Sequence, residues 1–215
     1  RTPLLISLFL LTSLSLIESA ALAENDKKNS SDQFKNPLYR ESLALIEARD
    51  YQSAVKSLSL FLDGNPSSDE GYFLRGKAYH ELGTLDKATA DYIKAIELNP
   101  SSHKAFNNRG LIYGQRKQFD LATKSFTKAI NNNPQAKEAF NNRGVAKAAS
   151  GDPNGAIMDF TSSIKIDKTY LEPVLNRSFV LEMQGKLDQA CEDWKTASQL
   201  GSRDAQIWLK AQCKI

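Results

Sequence analysis

The sequence predicts an all-α chain in which five similar helix pairs stack in a row and one further helix closes the end. Residues 35–204 repeat with a period of 34, without insertion or deletion. Apolar and small residues within each period follow the spacing of a helix, and Asn-Pro pairs or glycines separate the helices. Self-similarity at a fixed period of about 20–50 residues is the sequence signature of stacked repeat architectures.

Several positions carry the period at once. The segment FNNRG stands at 106–110 and again at 140–144. One alanine recurs in every period, as Ala54, Ala88, Ala122, Ala156 and Ala190. A large apolar residue follows four positions later, as Leu58, Tyr92, Phe126, Phe160 and Trp194. The chain therefore divides into units 35–68, 69–102, 103–136, 137–170 and 171–204, and each residue of a unit has a place from 1 to 34.

Each unit is predicted to contain two helices. Places 4, 8 and 11 carry apolar or small residues, which form one face of a first helix. Places 20, 24, 27 and 28 form such a face on a second helix. A glycine such as Gly83 marks the turn between the two helices. Asn-Pro pairs at 65–66, 99–100 and 133–134 end the second helix, because proline disfavours helix in the residue before it.

The order of these residues across 35–204 resembles the tetratricopeptide repeat (TPR) family, with its aromatic residue, leucine-glycine, tyrosine, alanine, phenylalanine, alanine and proline. The resemblance implies a right-handed α-α superhelix, or TPR solenoid, whose first helices line a concave ligand-binding surface. Unit four departs from the family pattern, since Lys147 stands at an apolar place and Lys168 replaces the closing proline.

The last residues are predicted to cap the array. Residues 205–215 continue a helical pattern after unit five, with Trp208 at place 4 of an incomplete sixth unit. A terminal element of a stacked array must shield the last apolar face from water. We therefore expect a capping helix at 205–215 that is anchored by the buried side chains of Trp208 and Leu209.

The N-terminal residues have the composition of an export segment. Arg1 precedes a charge-free run of 14 residues at 4–17, and residues 21–23 form an A-x-A exit. This pattern predicts a secretory signal peptide at 1–23 and a disordered linker at 24–34. The run is shorter than the ~20 residues of a spanning helix, although an uncleaved membrane anchor is the alternative. The expected location is periplasmic or secreted, with the thylakoid lumen or a membrane-anchored state as the alternative.

A row of asparagines lies on the side of the first helix opposite its packed face. Place 6 carries Asn108, Asn142 and Asn176, and Asn107 and Asn141 precede two of them. An amide side chain both donates and accepts hydrogen bonds. The row therefore predicts a site for the backbone of an extended peptide, and some TPR superhelices hold peptides through a similar row. The alternative is that these asparagines bond neighbouring helices and hold the stack together.

Place 9 lies beside the asparagines and is mostly apolar. It carries Leu111, Val145 and Phe179, which we expect to contact the side chains of a bound peptide, and Lys77 in unit two. The predicted partner is accordingly another protein or a peptide segment.

Arginines recur at place 7, as Arg75, Arg109, Arg143 and Arg177. They could form a stripe for anions or pair with aspartates at place 23 of the second helix. Place 7 points toward that second helix, which carries Asp91, Asp159 and Asp193. The sequence favours structural salt bridges.

The two cysteines, Cys191 and Cys213, lie on helices that should pack against each other. An exported chain enters an oxidising compartment, which favours a disulfide between them. Paired cysteines near the end of an array also recur in other TPR proteins. Two buried free thiols are the alternative.

Catalytic and cofactor chemistry is not indicated. The net charge of +3 is too small to argue for nucleic acid. Residues 71–78 nearly match the phosphate-binding loop G-x-x-x-x-G-K-[ST], but Ala78 ends the match and the segment falls within a predicted helix. His80 and His103 lack the partners of a metal site. We therefore expect no metal, no cofactor and no small-molecule substrate.

The predicted function is that of a non-catalytic protein–protein interaction scaffold, exported from the cytoplasm. The alternative is an assembly factor for an envelope or photosynthetic membrane complex, tethered to the membrane through residues 4–17.

Overall fold

The computed structural model describes residues 33–213, and this range holds eleven α-helices and no β-strand. The predicted signal peptide at 1–23 and most of the predicted linker at 24–34 lie outside the described residues. The helices are α1 (Pro37–Glu47), α2 (Tyr51–Gly64), α3 (Asp69–Glu81), α4 (Leu85–Leu98), α5 (His103–Gln115), α6 (Phe119–Asn132), α7 (Lys137–Ala149), α8 (Pro153–Ile166), α9 (Leu171–Met183), α10 (Leu187–Gln199) and α11 (Arg203–Gln212).

The helices pack in chain order. Each odd-numbered helix from α1 to α9 packs on the helix that follows it, and that second helix packs on the next pair. The first helices α3, α5, α7 and α9 also touch one another in turn. The prediction of an all-α solenoid of five helix pairs with a C-terminal helix is therefore confirmed.

The turn inside each pair has the same geometry throughout. Every second helix begins at place 17 of its unit, and place 15 has a positive φ in each turn. That residue is Gly83, Gly151 or Gly185 in three units, with φ between 71° and 88°. It is Arg49 in unit one and Lys117 in unit three, with φ of 60° and 58°. A left-handed backbone costs a residue with a Cβ roughly 1–2 kcal/mol, so these two turns carry strain.

Close contact between the helices of a pair depends on the small residue at place 8. A Cβ added to Gly110 would lie 2.6 Å from the ring of Phe126, and one on Gly144 would lie 2.6 Å from the ring of Phe160. Both rings are buried, with exposed fractions of 2% and 1%. The aromatic ring of the second helix therefore rests directly on the backbone of the first.

The terminal helix is less buried than the sequence predicts. Trp208 is 38% exposed and the neighbouring Ile207 is 62% exposed. Leu209 packs on the cluster that includes Trp194, and the Trp208 ring contacts the Trp194 ring with centroids 6.1 Å apart. The prediction that Trp208 is a buried anchor is therefore wrong. No further pair covers the outer side of α11 within the described residues, so only one face of this helix is packed.

Two residues at the end of the predicted linker contact the first pairs. The ring of Phe34 meets the ring of Tyr39 edge-on, with centroids 5.4 Å apart. The side chain of Gln33 accepts a hydrogen bond from the hydroxyl of Ser68 at 3.0 Å. Residues 33 and 34 therefore pack against the first unit.

Candidate functional site

The asparagines at places 5 and 6 form hydrogen-bonded pairs between neighbouring first helices. Asn142 Nδ2 on α7 donates to Asn107 Oδ1 on α5 at 3.1 Å. Asn176 Nδ2 on α9 donates to Asn141 Oδ1 on α7 at 2.9 Å. The structure thus gives these side chains the stack-holding contacts that the sequence left open as an alternative to peptide binding.

The row ends in a different way near α4. Asn108 Nδ2 donates to the hydroxyl of Tyr92 at 3.3 Å, and its Oδ1 accepts from Asn107 at 3.3 Å. Burial raises the pKa of Tyr92 above its usual range, while the bond from Asn108 opposes that rise. The hydroxyl of Tyr92 is therefore protonated at physiological pH, and the hydrogen-bonded row of asparagines ends at it.

Part of the hydrogen-bonding capacity of the row is still free. The Oδ1 atoms of Asn142 and Asn176 receive no hydrogen bond from residues 33–213. Both side chains are half-buried, whereas Asn141 is 7% exposed. Asn142 and Asn176 can therefore accept from a ligand, and Asn107 and Asn141 hold them in position.

An apolar cavity of about 430 Å³ lies next to Asn176, between α7 and α9. Its most exposed side chains are Val145, Phe179 and Met183, which are 45%, 61% and 72% exposed. The lining is completed by Ala148, Ala149, Pro153, Phe160, Val180 and Gln184. The structure therefore brings together three of the predicted ligand contacts, Val145, Phe179 and Asn176.

The other residues predicted at place 9 lie elsewhere. Leu111 is half-buried and packs on the cluster of Ala122, Phe126 and Ala146. Lys77 is half-buried on α3 and lines neither this cavity nor the next one along the first helices. The period predicts that place 9 lies on one surface in every unit, but the exposure of its side chain differs between units. Lys77 and Leu111 are half-buried, whereas Val145 and Phe179 are exposed.

A second, polar depression of about 290 Å³ lies between α5 and α7. Asn107, Asn108 and Phe73 line it, with Lys104 and Glu138 at places 2 of successive units. Glu70 occupies the same place on α3, where burial raises its pKa and the charge of Lys104 opposes the rise. The surface is therefore polar and of mixed charge near α5 and apolar near α9.

The predicted salt bridges form in three of the four units that carry the arginine. Arg75, Arg143 and Arg177 each donate two hydrogen bonds to the carboxylate at place 23, with N–O distances from 2.6 to 2.8 Å. The hydrogen bond to Asp91 raises the pKa of Arg75. Lys147, the departure from the family pattern in unit four, adds a second cation 2.8 Å from Asp159.

A disulfide joins Cys191 on α10 to Cys213, directly after α11. The two Cα atoms are 5.9 Å apart and the bond closes a 22-residue separation. The weakly covered terminal helix is thus attached covalently to the last pair.

Residues 71–78, which resemble a phosphate-binding loop, lie inside α3, so their backbone N–H groups are not free for a ligand. No cluster of three or more His, Cys, Asp or Glu side chains suited to a metal occurs between residues 33 and 213. Across that same range, none of the helices combines the length and apolar character needed to cross a membrane.

Comparisons with known proteins agree with this architecture. One family model, described as TPR repeat, matches residues 76–116, and another, described as Tetratricopeptide repeat, matches residues 103–135. A comparison with curated protein sequences gives no significant match. Residues 76–135 are therefore tetratricopeptide repeats, and repeats of this class build protein–protein interaction scaffolds.

Solved structures show the same fold at low sequence identity. A crystal structure of MamA is 20% identical, covers 77% of this chain and 96% of its own, and has a TM-score of 0.69. MamA from Desulfovibrio magneticus RS-1 is 17% identical, covers 76% and 92%, and has a TM-score of 0.70. PilF from Pseudomonas aeruginosa is 17% identical, covers 83% and 81%, and has a TM-score of 0.74.

Proposed function

We propose that the protein is a non-catalytic scaffold that works outside the cytoplasm and binds an extended peptide segment of a partner along α5, α7 and α9. We call this surface, formed by Asn142, Asn176, Val145, Phe179 and Met183, the peptide groove. The observation that carries the proposal is the position of Asn176 at the wall of the apolar cavity. Hydrogen-bond acceptors for a peptide backbone thus stand beside a pocket for one of its side chains.

The asparagines act on the peptide backbone. The free Oδ1 atoms of Asn142 and Asn176 accept from backbone N–H groups, which every residue except proline presents. Asn107 and Asn141 take one donor from each and so fix the orientation of the amides. Binding through the backbone tolerates many sequences, so the apolar pocket supplies the selectivity.

The apolar cavity takes a large side chain of the peptide. Phe179 and Met183 are highly exposed in the free protein, and a bound Leu- or Phe-sized side chain would cover both. Enclosing one such side chain contributes roughly 1.5–3 kcal/mol. Lys77 and the polar depression near Asn108 extend the same surface toward the N-terminal units and would contact the polar end of the segment.

Two observations support a location outside the cytoplasm. The apolar run at 4–17 with its A-x-A exit has the form of a secretory signal. The disulfide between Cys191 and Cys213 fits an oxidising compartment, because thiols are kept reduced in the cytosol.

A selection experiment tests the groove. Random unstructured peptides displayed on phage are selected on the wild-type protein, and the best peptide is measured by fluorescence anisotropy. Phe179→Glu should weaken its binding by at least about tenfold, because a charge then lines the apolar pocket. The matched control is Met158→Glu, since Met158 is 72% exposed on the second helix α8 and does not line the cavity. Equal binding by both variants contradicts the proposed groove.

A second pair of variants separates ligand binding from stack holding. Asn142→Ala and Asn176→Ala together remove two hydrogen bonds between helices, so some loss of stability is expected in either case. The proposal requires that peptide affinity also falls by about tenfold while circular dichroism still reports a folded chain. A less stable variant that binds the peptide as the wild type does assigns the asparagines to the stack alone.

A further inference from the structure

The arginine at place 7 has a constant set of partners in three units. Its Nε and Nη2 atoms donate to the aspartate at place 23 of the same unit. Its Nη1 atom donates to a hydroxyl at place 25 of the preceding unit. These hydroxyls belong to Ser59, Thr127 and Thr161, at 3.2, 3.1 and 2.9 Å. Each guanidinium is thereby held between two successive second helices.

Arg109 in unit three has lost both partners. Place 23 of its unit is Ser125 instead of aspartate, and place 25 of the preceding unit is Ile93 instead of serine or threonine. Its Nε atom is buried and has no hydrogen-bond partner among residues 33–213. The guanidinium instead lies over the rings of Phe106 and Tyr113, with its central carbon 5.2 and 5.9 Å from their centroids.

Unit one also lacks the aspartate at place 23, but it has no arginine at place 7 that would be left without a partner. Serine also occupies place 23 there, as Ser57, but place 7 has changed to Glu41. The hydroxyl of Ser57 donates to Glu41 Oε2 at 2.8 Å. In unit three the arginine is present without its carboxylate, and a buried donor without a partner destabilises the folded chain.

The surroundings of Arg109 differ in charge from those of its counterparts. In unit five, the cavity of about 330 Å³ beside Arg177 is lined by Ile157, Thr161, Leu181, Gln189, Glu192 and Asp193. The same places two units earlier carry Thr89, Ile93, Tyr113, Leu121, Lys124 and Ser125. Two carboxylates in unit five are thus replaced by one lysine and one serine, which leaves Arg109 and Lys124 as two cations without a carboxylate at these places.

We propose that the place between α4 and α6 that corresponds to the unit-five cavity, which we call the Arg109 crevice, binds a carboxylate from an aspartate or glutamate of a partner protein. The incoming carboxylate takes the position that the aspartate at place 23 holds in the three paired units. It receives two parallel hydrogen bonds from Nε and Nη2, the fork geometry that guanidinium offers to carboxylates. Place 7 lies about 100° from place 6 around the first helix, so this site is separate from the peptide groove.

Nuclear magnetic resonance of the arginine side chains tests the proposal with internal controls. The Nε–Hε resonances are followed while N-acetyl-aspartate amide is added to the full-length protein at constant pH and ionic strength. The Arg109 resonance should move and saturate, whereas those of Arg75, Arg143 and Arg177 stay in place because their forks are occupied. N-acetyl-asparagine amide, which has the same shape without the charge, should leave all four unmoved.

Two variants with a matched change locate the site. Ser125→Asp fills the fork from within the chain and should weaken the response of Arg109 by about tenfold or more. Ser125→Ala removes the hydroxyl without adding charge and should respond as the wild type does. Arg109→Gln removes the donor itself, so its binding is followed instead through the backbone amide resonances of Ser125 and its neighbours. Loss of the shifts that the aspartate derivative causes there in the wild type supports the assignment even if Ser125→Asp does not fold.

Three outcomes overturn the proposal. One is an Arg109 resonance that moves no more than the other three when the aspartate derivative is added. Another is saturation by sulfate but not by the aspartate derivative, which would make the crevice a site for inorganic oxyanions. The third is a folded Ser125→Asp variant that binds as the wild type does.

Discussion

Replacing Gly110 by alanine should destabilise the array, although alanine is the better helix former. The added Cβ would lie 2.6 Å from Cε1 and 2.8 Å from Cδ1 of Phe126, about an ångström inside a normal contact. The Phe126 side chain is 2% exposed, so its ring cannot withdraw into solvent. Overpacking of this kind costs about 1–3 kcal/mol, and the gain in helix propensity returns ~1 kcal/mol. The net loss should therefore be up to about 2 kcal/mol.

Gly114, one turn later on the same helix, is the matched control. A Cβ there would meet nothing within 4 Å, so only the propensity gain of ~1 kcal/mol applies. Denaturation in guanidinium chloride, followed by circular dichroism, should show that the two substitutions change stability in opposite directions. If Gly110→Ala is as stable as Gly114→Ala, the close approach of place 8 to the aromatic ring is not what sets the helix spacing.

Three further predictions concern local features. Lys117→Gly should raise the free energy of unfolding by about 0.5–1 kcal/mol, because glycine adopts the positive φ of 58° without a steric penalty. An unchanged midpoint of thermal denaturation would argue against strain at this turn. The hydrogen bond from Lys137 holds the pKa of Asp167 below its usual range, so its stabilising effect is present above the ordinary carboxyl pKa near ~4 and is lost as the pH falls. The stability difference between wild type and Asp167→Asn should shrink accordingly from pH 6 to pH 2, and a constant difference contradicts the pairing. The disulfide between Cys191 and Cys213 closes a loop, which should contribute ~3 kcal/mol of stability. Thiol labelling of the denatured chain without reductant should therefore label neither cysteine. Two labels per chain would exclude the disulfide.

The strict period explains why so much of the fold could be predicted. Since no unit contains an insertion, one helical face read in unit two applies to all five, and every second helix begins at the same place. The pattern failed at the end of the chain, where it also predicts burial for Trp208. Burial needs a neighbour on the outer side, and the period contains no information on where neighbours stop.

Contacts between units were harder to predict than contacts within one. The sequence identified the asparagines of the peptide groove but not that Asn142 would bond Asn107. That pair spans 35 residues, one more than the period, so a residue at place 6 bonds one at place 5 of the preceding unit. The loss of the Arg109 partner was visible in the sequence, since Ser125 stands where the other units with this arginine have aspartate.

The central claim is that the peptide groove on α7 and α9 holds an extended ligand. Its most direct test is to map the backbone amide resonances that shift when the selected peptide binds to the wild-type protein. The largest shifts should fall on Asn142, Val145, Asn176, Phe179 and Met183. Shifts that concentrate on the second helices α6 and α8, or on α11, would contradict it.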